Sequence, residues 1–310
     1  MKSTDPVLIR LLTHNIRYAT EAPFKGEETW TVRRPRLINE LQFHSRHCPE
    51  SFICLQEVLH VQLIDILHGL NRTTGSEADV TSTASEWTHI GVGRDDGKKA
   101  GEYSPILYRP SVWKLEHFKT VWLSETPSVP SKGWDAASVR ILTAAKFQHR
   151  ASRKTLVAFN THLDEQGPRS RQEAARIILK EGGEWCSQGA GKMPLPIFLA
   201  GDLNSESNQA AYQTLNDSNS IIQDLRDMVP TERRYGNEDS ATGFGDEERS
   251  TRIDFLFLGP RSGSSKEVDQ HASPQEPLWE TQMHSILANR FQDGVYISDH
   301  RAVVGDVKLI

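Results

Sequence analysis

Several short segments of the chain place acids, amides and histidines where apolar runs end. Such an end can present metal-binding, phosphate-binding or acid–base groups on a rigid support. Ala200-Gly201-Asp202-Leu203-Asn204 follows the apolar run IFLA. An Asp and, two residues on, an Asn put two oxygen-bearing groups on one side of a strand tip, and Gly201 permits close backbone approach. By itself the segment reads equally well as an Asp-Asn turn. Ser298-Asp299-His300 sets an acid beside a histidine just before a terminal apolar stretch, a pairing suited to holding metal or phosphate or to moving protons. A lone Asp-His pair is more often a solvated turn. In Asn160-Thr161-His162-Leu163-Asp164, His162 and Asp164 face one side if the strand continues, with ordinary polar caps as the alternative. Glu57 closes the run Cys54-Leu55-Gln56. A carboxylate there is costly to bury unless a cation offsets it, and an arginine would serve as well as a metal.

These segments need elements to hold them. Short β-branched and aromatic runs bounded by Gly, Pro and Asp predict strands at 7–16, 52–58, 156–164, 197–204 and 252–258, and in the final AVVGDVKLI. Between them, apolar residues at helical spacing predict helices over 33–46 (Leu37, Ile38, Leu41, with His44 as a further candidate) and 169–181 (Ala174, Ile177, Ile178). Strands with helices packed outside them indicate the α/β or α+β class. The hydrophilic stretches 231–250 and 259–277 read as surface loops, the second with too little apolar surface to repay ordering. No repeat or linker divides the chain, so 1–310 reads as one domain.

The bulk numbers narrow the function classes. At 310 residues, with 37% hydrophobic and 25% charged residues, the chain has the composition of a globular protein with a substantial core. Its net charge of −5 argues against long, sequence-blind contact with duplex DNA, which needs a basic face. No apolar run approaches the roughly 18–20 residues that span a bilayer, and the first residues lack a secretion signal. Membrane insertion is therefore not expected. The three cysteines lack CxxC spacing and read as reduced thiols of an intracellular, cytoplasmic protein.

Taken in order, Thr-His-Asn15, Leu-Gln-Glu57, Asn160-Thr-His162-Leu-Asp164, Gly-Asp202-Leu-Asn204, Arg252-Ile-Asp254 and Ser-Asp299-His300 resemble the endonuclease/exonuclease/phosphatase superfamily, in a branch of small single-domain members. The resemblance implies a four-layer sandwich, two mixed β-sheets flanked by helices, with the site at one end. It implies that Glu57, with Asn15 beside it and Asp299 as a second carboxylate, holds Mg²⁺ or Mn²⁺. Asp202 would orient or deprotonate the attacking water, and Asn204 would help to place it. His162 would contact a phosphate oxygen or assist the leaving group, and His300, oriented by Asp254, would donate to the phosphate.

Arg17 stands where relatives acting at abasic DNA sites often carry an acid, and it could contact a substrate phosphate. Tyr103, in Glu102–Arg109, resembles a substrate-side tyrosine. Trp134, in Lys132-Gly133-Trp134-Asp135-Ala136-Ala137, could stack on a base or sugar or merely pack its loop. With Asp164, these complete the substrate-binding candidates. The expected partner is a phosphoester, with short or single-stranded nucleic acid a candidate and no protein partner implied. The expected activity is that of a phosphodiesterase or nuclease. The alternatives are a phosphatase of a soluble phosphorylated metabolite and a non-catalytic binding protein on the same fold.

Overall fold

The computed structural model describes residues 5–72, 86–189, 193–245, 249–261 and 277–310. In chain order the first strands are β1 (Val7–Asn15), β2 (Phe52–Gln56), β3 (Thr88–Ile90), β4 (Ile106–Tyr108), β5 (Trp113–Trp122), β6 (Ile141–His149) and β7 (Thr155–His162). They continue as β8 (Ile197–Asp202), β9 (Gln223–Asp224), β10 (Arg234–Gly236), β11 (Asp254–Gly259), β12 (Trp279–Ile286) and β13 (Val303–Leu309). The helices are α1 (Trp30–Ser45), α2 (His60–Asn71), α3 (Pro168–Cys186), α4 (Ala210–Asn216) and α5 (Leu225–Met228).

Strands β10-β12-β13-β1-β2-β4-β3 form a seven-stranded sheet, and β5-β6-β7-β8-β11-β9 a six-stranded one. Both are mixed: β1 pairs parallel with β2 and β7 parallel with β8, while β13 and β11 run antiparallel beside them. Alternation along each strand sorts side chains into layers. In β1, Ile9 and Leu11 join Phe52, Phe198, Leu256 and Val307 between the sheets. Leu12 turns outward to Leu37, Leu41, Leu63 and Ile66 under α1 and α2. On the far side, Phe159, Leu199 and Phe257 pack against Ala174 and Ile178 of α3. The result is the expected four-layer arrangement of helix, sheet, sheet and helix.

Helix boundaries differ from the sequence pattern for identifiable reasons. α1 begins a turn earlier than expected because Trp30 and Arg33 are buried along with Leu37 and Leu41. α3 starts with Pro168 at its first turn, where a missing N–H is harmless. It runs past 181 because Trp185 and Cys186 are buried, and Gly182 suits the crossing: a Cβ there would sit 2.8 Å from Ile221 Cδ1. Strands β5, β6 and β12 were not anticipated. Most of β5 is exposed or half-buried along its length, so its sequence lacks the dense apolar run of the central strands. Among its described residues, the loop expected at 231–250 contains only the short β10 and a 3₁₀ turn at Thr231–Arg233 as regular elements. Most of the loop expected at 259–277 lies outside the described residues. Cys54 and Cys186 are buried free thiols, as expected, whereas Cys48 is half-buried. Among the described residues, no helix is long and apolar enough to cross a membrane.

Register carries the site residues to one end. Asp202 pairs with His162 across the parallel β7–β8 ladder and with Asp254 across the antiparallel β8–β11 ladder. Asn15 pairs with Gln56 at the corresponding end of β1 and β2, one residue before Glu57. Gly201 keeps β8 close to β7: a Cβ at that position would lie 2.3 Å from the Thr161 carbonyl oxygen. Gly201→Ala is therefore expected to lose about 2–3 kcal/mol of stability, measured by urea unfolding. An unchanged midpoint would show that the β7–β8 contact yields without cost.

Candidate active site

Asn15 ties the ends of the two sheets together. Its Nδ2 donates to Glu57 Oε1 (3.1 Å) and Asp202 Oδ2 (2.9 Å), and its Oδ1 accepts from the Arg17 backbone N–H (3.0 Å). Because Oδ1 faces an N–H, the amide orientation is settled by its surroundings. Glu57, with φ of 58°, leaves the β2 ladder and turns its carboxylate into the site. Its Oε2 accepts from the Tyr18 N–H at 3.1 Å and lies 3.8 Å from the Arg17 guanidinium. Asp299 is half-buried on the same side. Burial and then the charge of Glu57 push its carboxyl above the ordinary range, against the opposing pull of His300 and Arg17.

The two histidines have opposite electrostatics. His300 Nδ1 lies 2.8 Å from Asp254 Oδ2, and Nε2 lies 3.9 Å from Asp202 Oδ2. Burial alone would lower its pKa, but the charge and hydrogen bond of Asp254, with the charges of Asp202 and Asp299, hold it well above the usual 6.5. These carboxylates favour the protonated ring. In His162, burial and the nearby Arg140 and Arg94 cations outweigh Asp202 and Glu57 and take the pKa to about 4. Asn204 Nδ2 donates to the Leu163 carbonyl (2.9 Å) and faces His162 Nε2 at 3.0 Å. Nε2 is therefore an acceptor, and the proton of this neutral imidazole sits on Nδ1. Asp202, between the two rings, is raised by burial and by Asp254.

The structure brings together Asn15, Glu57, His162, Asp202, Asn204, Asp254, Asp299 and His300. Three of the substrate-binding candidates already have protein partners. Asp164 is 1% exposed, and its carboxylate accepts the N–H groups of Ala137, Ser138, Gln166 and Gly167 at 2.8–3.1 Å. It pins a loop, with its carboxylate taken up by backbone N–H groups. The Tyr103 ring is buried, and its hydroxyl donates to the Lys98 carbonyl (2.9 Å) and meets His60 Nδ1 at 3.1 Å. Arg17 is buried and already engaged by Glu27 at 3.2 and 3.4 Å, with Tyr18 and Phe24 rings against its guanidinium at 4.1 and 4.6 Å. It is a locked cation beside Glu57 rather than a free arm. Trp134 is half-buried with φ of 49°, on the loop that Asp164 and Asp135 hold in place.

Several participants were missed. Glu102 lies 3.7 Å from His162 Nδ1 and bonds Arg94 at 2.7 Å. Ser240 receives the N–H groups of Ile253 (3.1 Å) and Asp254 (3.0 Å). Glu27 holds Arg17. Each is an ordinary polar residue in a loop, without the strand-end signal that marked the others. Glu102 alone stood within a highlighted segment, beside Tyr103.

Asp202, Asp254 and His300 offer ligand atoms within 4.8 Å of one another. His300 Nδ1 already faces Asp254 Oδ2 at 2.8 Å, which leaves Nε2 as its remaining ligand atom. The oxygen donors Glu57 and Asp299, with Asn15 beside them, better fit a hard divalent cation. The nearby Arg17 cation is already engaged by Glu27, and the carboxyl of Asp299 is pushed up first by burial and then by the charge of Glu57.

No protein-family model and no curated protein matches the sequence. Solved structures do match it. An endonuclease/exonuclease/phosphatase from Bacteroides vulgatus is 29% identical, with a TM-score of 0.79 over 98% of this chain and 99% of that one. An endonuclease/exonuclease/phosphatase family protein from Bacteroides thetaiotaomicron is 25% identical, with a TM-score of 0.78 over 99% of each chain. A mannosyl-6-phosphatase from the same organism is 25% identical, with a TM-score of 0.75 over 96% of this chain and 99% of that one.

The Asp164 buckle has a measurable consequence. Burial raises its pKa, but the backbone N–H groups override this and take it to about 2, below the ordinary 3.8. Its stabilisation is therefore complete above 3.8 and lost as pH falls toward 2. Asp164→Ala should cost about 3 kcal/mol at neutral pH, and the gap from wild type should close in acid. A pH-independent difference in unfolding free energy would refute this account.

Proposed function

Starting from its endonuclease/exonuclease/phosphatase fold, we propose that this chain is a divalent-metal-dependent phosphoester hydrolase in which Asp202 activates the attacking water. The observation that carries the reading is the Asn15 bridge, with Glu57 at 3.1 Å and Asp202 at 2.9 Å from one amide nitrogen. It holds Asp202 close to Glu57, which supports reading Asp202 as a general base beside carboxylates suited to a cation. Glu57 and Asp299, with Asn15 alongside, would hold Mg²⁺ or Mn²⁺, whose chemistry when bound is to offset charge on phosphoryl oxygens.

The chain's own groups account for the remaining steps. Asp202, its proton affinity raised by burial, takes a proton from water as the water oxygen bonds to phosphorus and the phosphorus–leaving-oxygen bond breaks. Cationic His300 presents Nε2–H to the phosphate as charge builds, while Asp254 holds Nδ1–H and keeps the ring oriented. Neutral His162 is a poor proton source at pH 7. It contributes by holding Asn204 and the water side of the site, with its leaving-group role open only after a change of tautomer.

The sequence favours a phosphodiester, with short or single-stranded nucleic acid as a candidate substrate. A second reading, a phosphatase of a soluble phosphorylated metabolite, is supported by the full-length likeness to a mannosyl-6-phosphatase. It is also supported by Arg17, Arg94 and Arg140 near the site, each already paired with a carboxylate and so poorly placed to track a long polyanion.

Hydrolysis of bis-p-nitrophenyl phosphate and p-nitrophenyl phosphate tests both readings. Activity should require Mg²⁺ or Mn²⁺ and vanish with EDTA, and Asp202→Asn should lower kcat by about 10²–10⁴. Preference for the diester supports the phosphodiesterase, and preference for the monoester the metabolite phosphatase. Turnover of both that is indifferent to Asp202→Asn would remove the mechanism. The pH profile is a further check. Activity needs ionised Asp202 and protonated His300, so it should rise through a limb above 3.8 and fall through a limb above 6.5. Asp254→Asn removes the charge that holds the His300 proton and should move the alkaline limb downward; an unmoved limb would exclude His300 as its source.

A further inference from the structure

The mechanism leaves one buried acid–histidine pair unused. His14 projects from β1 onto the outer face, between Leu12 and Ile16, and is fully buried. Its Nδ1 lies 2.9 Å from Glu40 Oε1 of α1, whose side chain is 6% exposed. Its Nε2 lies 3.1 Å from the His300 carbonyl oxygen. A carbonyl only accepts, so Nε2 carries a proton and donates. Two turns back on the same face of α1, Arg33 donates to the carbonyls of Ile16 (2.8 Å), Arg17 (3.1 Å) and Ile297 (2.9 Å). α1 therefore grips the segment 297–300 near both ends, and grips the residues that follow Asn15.

Packing alone does not account for the pair. A buried carboxylate opposite a single histidine is generally no more stable than two apolar side chains of similar volume. We propose that Glu40, acting through His14, is a positioning residue for His300. It holds the His14 ring so that Nε2–H anchors the His300 carbonyl, which sets the direction of the His300 ring toward Asp202. The pair touches neither substrate nor reacting atoms. Its effect on rate rests on the hydrolase reading above, whereas its effect on His300 does not.

The test replaces the pair with hydrocarbon in the double variant His14→Leu/Glu40→Leu. The melting temperature should hold or rise. With whichever nitrophenyl phosphoester the wild type prefers, kcat should fall about 10-fold or more while KM stays within about 2-fold. Glu40→Gln, whose amide can donate to His14 Nδ1, should retain kcat within about 3-fold. In ¹⁵N-histidine-labelled protein, the His300 Nδ1 proton bonded to Asp254 should persist in wild type and Glu40→Gln, and shift or vanish in the double variant. A folded double variant with unchanged kcat and unchanged His300 resonance would overturn the proposal and leave the pair as packing. If the leucine pair does not fold, Glu40→Leu alone is read by the same measurements. If the wild type turns over neither phosphoester, the hydrolase reading fails and the His300 resonance alone decides the positioning role.

Discussion

The Asn15 amide is the interaction on which the rest of the site depends. One sheet supplies Glu57 and the other supplies Asp202, and these carboxylates would repel in a low-dielectric interior. A single Nδ2 donates to both, so each anion gains a donor and the distance between the sheet ends is set. An aspartate here would add a third negative charge, and an aliphatic residue would leave two carboxylates without that donor. The amide itself is oriented by the Arg17 N–H, whose residue Arg33 holds from α1.

Around this link, charge is arranged rather than merely accumulated. Asp254 and Asp202 keep His300 protonated, while burial and two arginines keep His162 neutral. The same residue type thus meets opposite electrostatics within one site. Arg17, locked by Glu27 and flanked by aromatic rings, supplies a positive charge that cannot swing away. Ser240 holds the start of β11 through two N–H groups and so places Asp254 beneath His300.

Ladder register explains how residues distant in sequence meet. His162, Asp202 and Asp254 are direct neighbours across three strands, so any shift of register would move them apart. Gly201 matters here because it lets β8 lie against the β7 backbone at the residue before Asp202.

The sequence by itself determined the central strands, α1 and α3, and the six segments that supply the site. It could do so because dense apolar runs and strand-end acids are local signals. It did not distinguish a carboxylate set between two histidines from one consumed by backbone amides. Asp164 and Asp202 look alike in a strand-end motif, and only the fold brings four N–H groups to the first and two histidines to the second. Nor did it show β5, whose exposed edge position needs no apolar run, or Glu102, Ser240 and Glu40, whose partners in or near the site lie on other segments of the chain. Side-chain type is written locally. Protonation, pairing and burial depend on what the tertiary structure sets within a few ångströms, and those decided which acids hold charge, which protonate and which merely brace the loops.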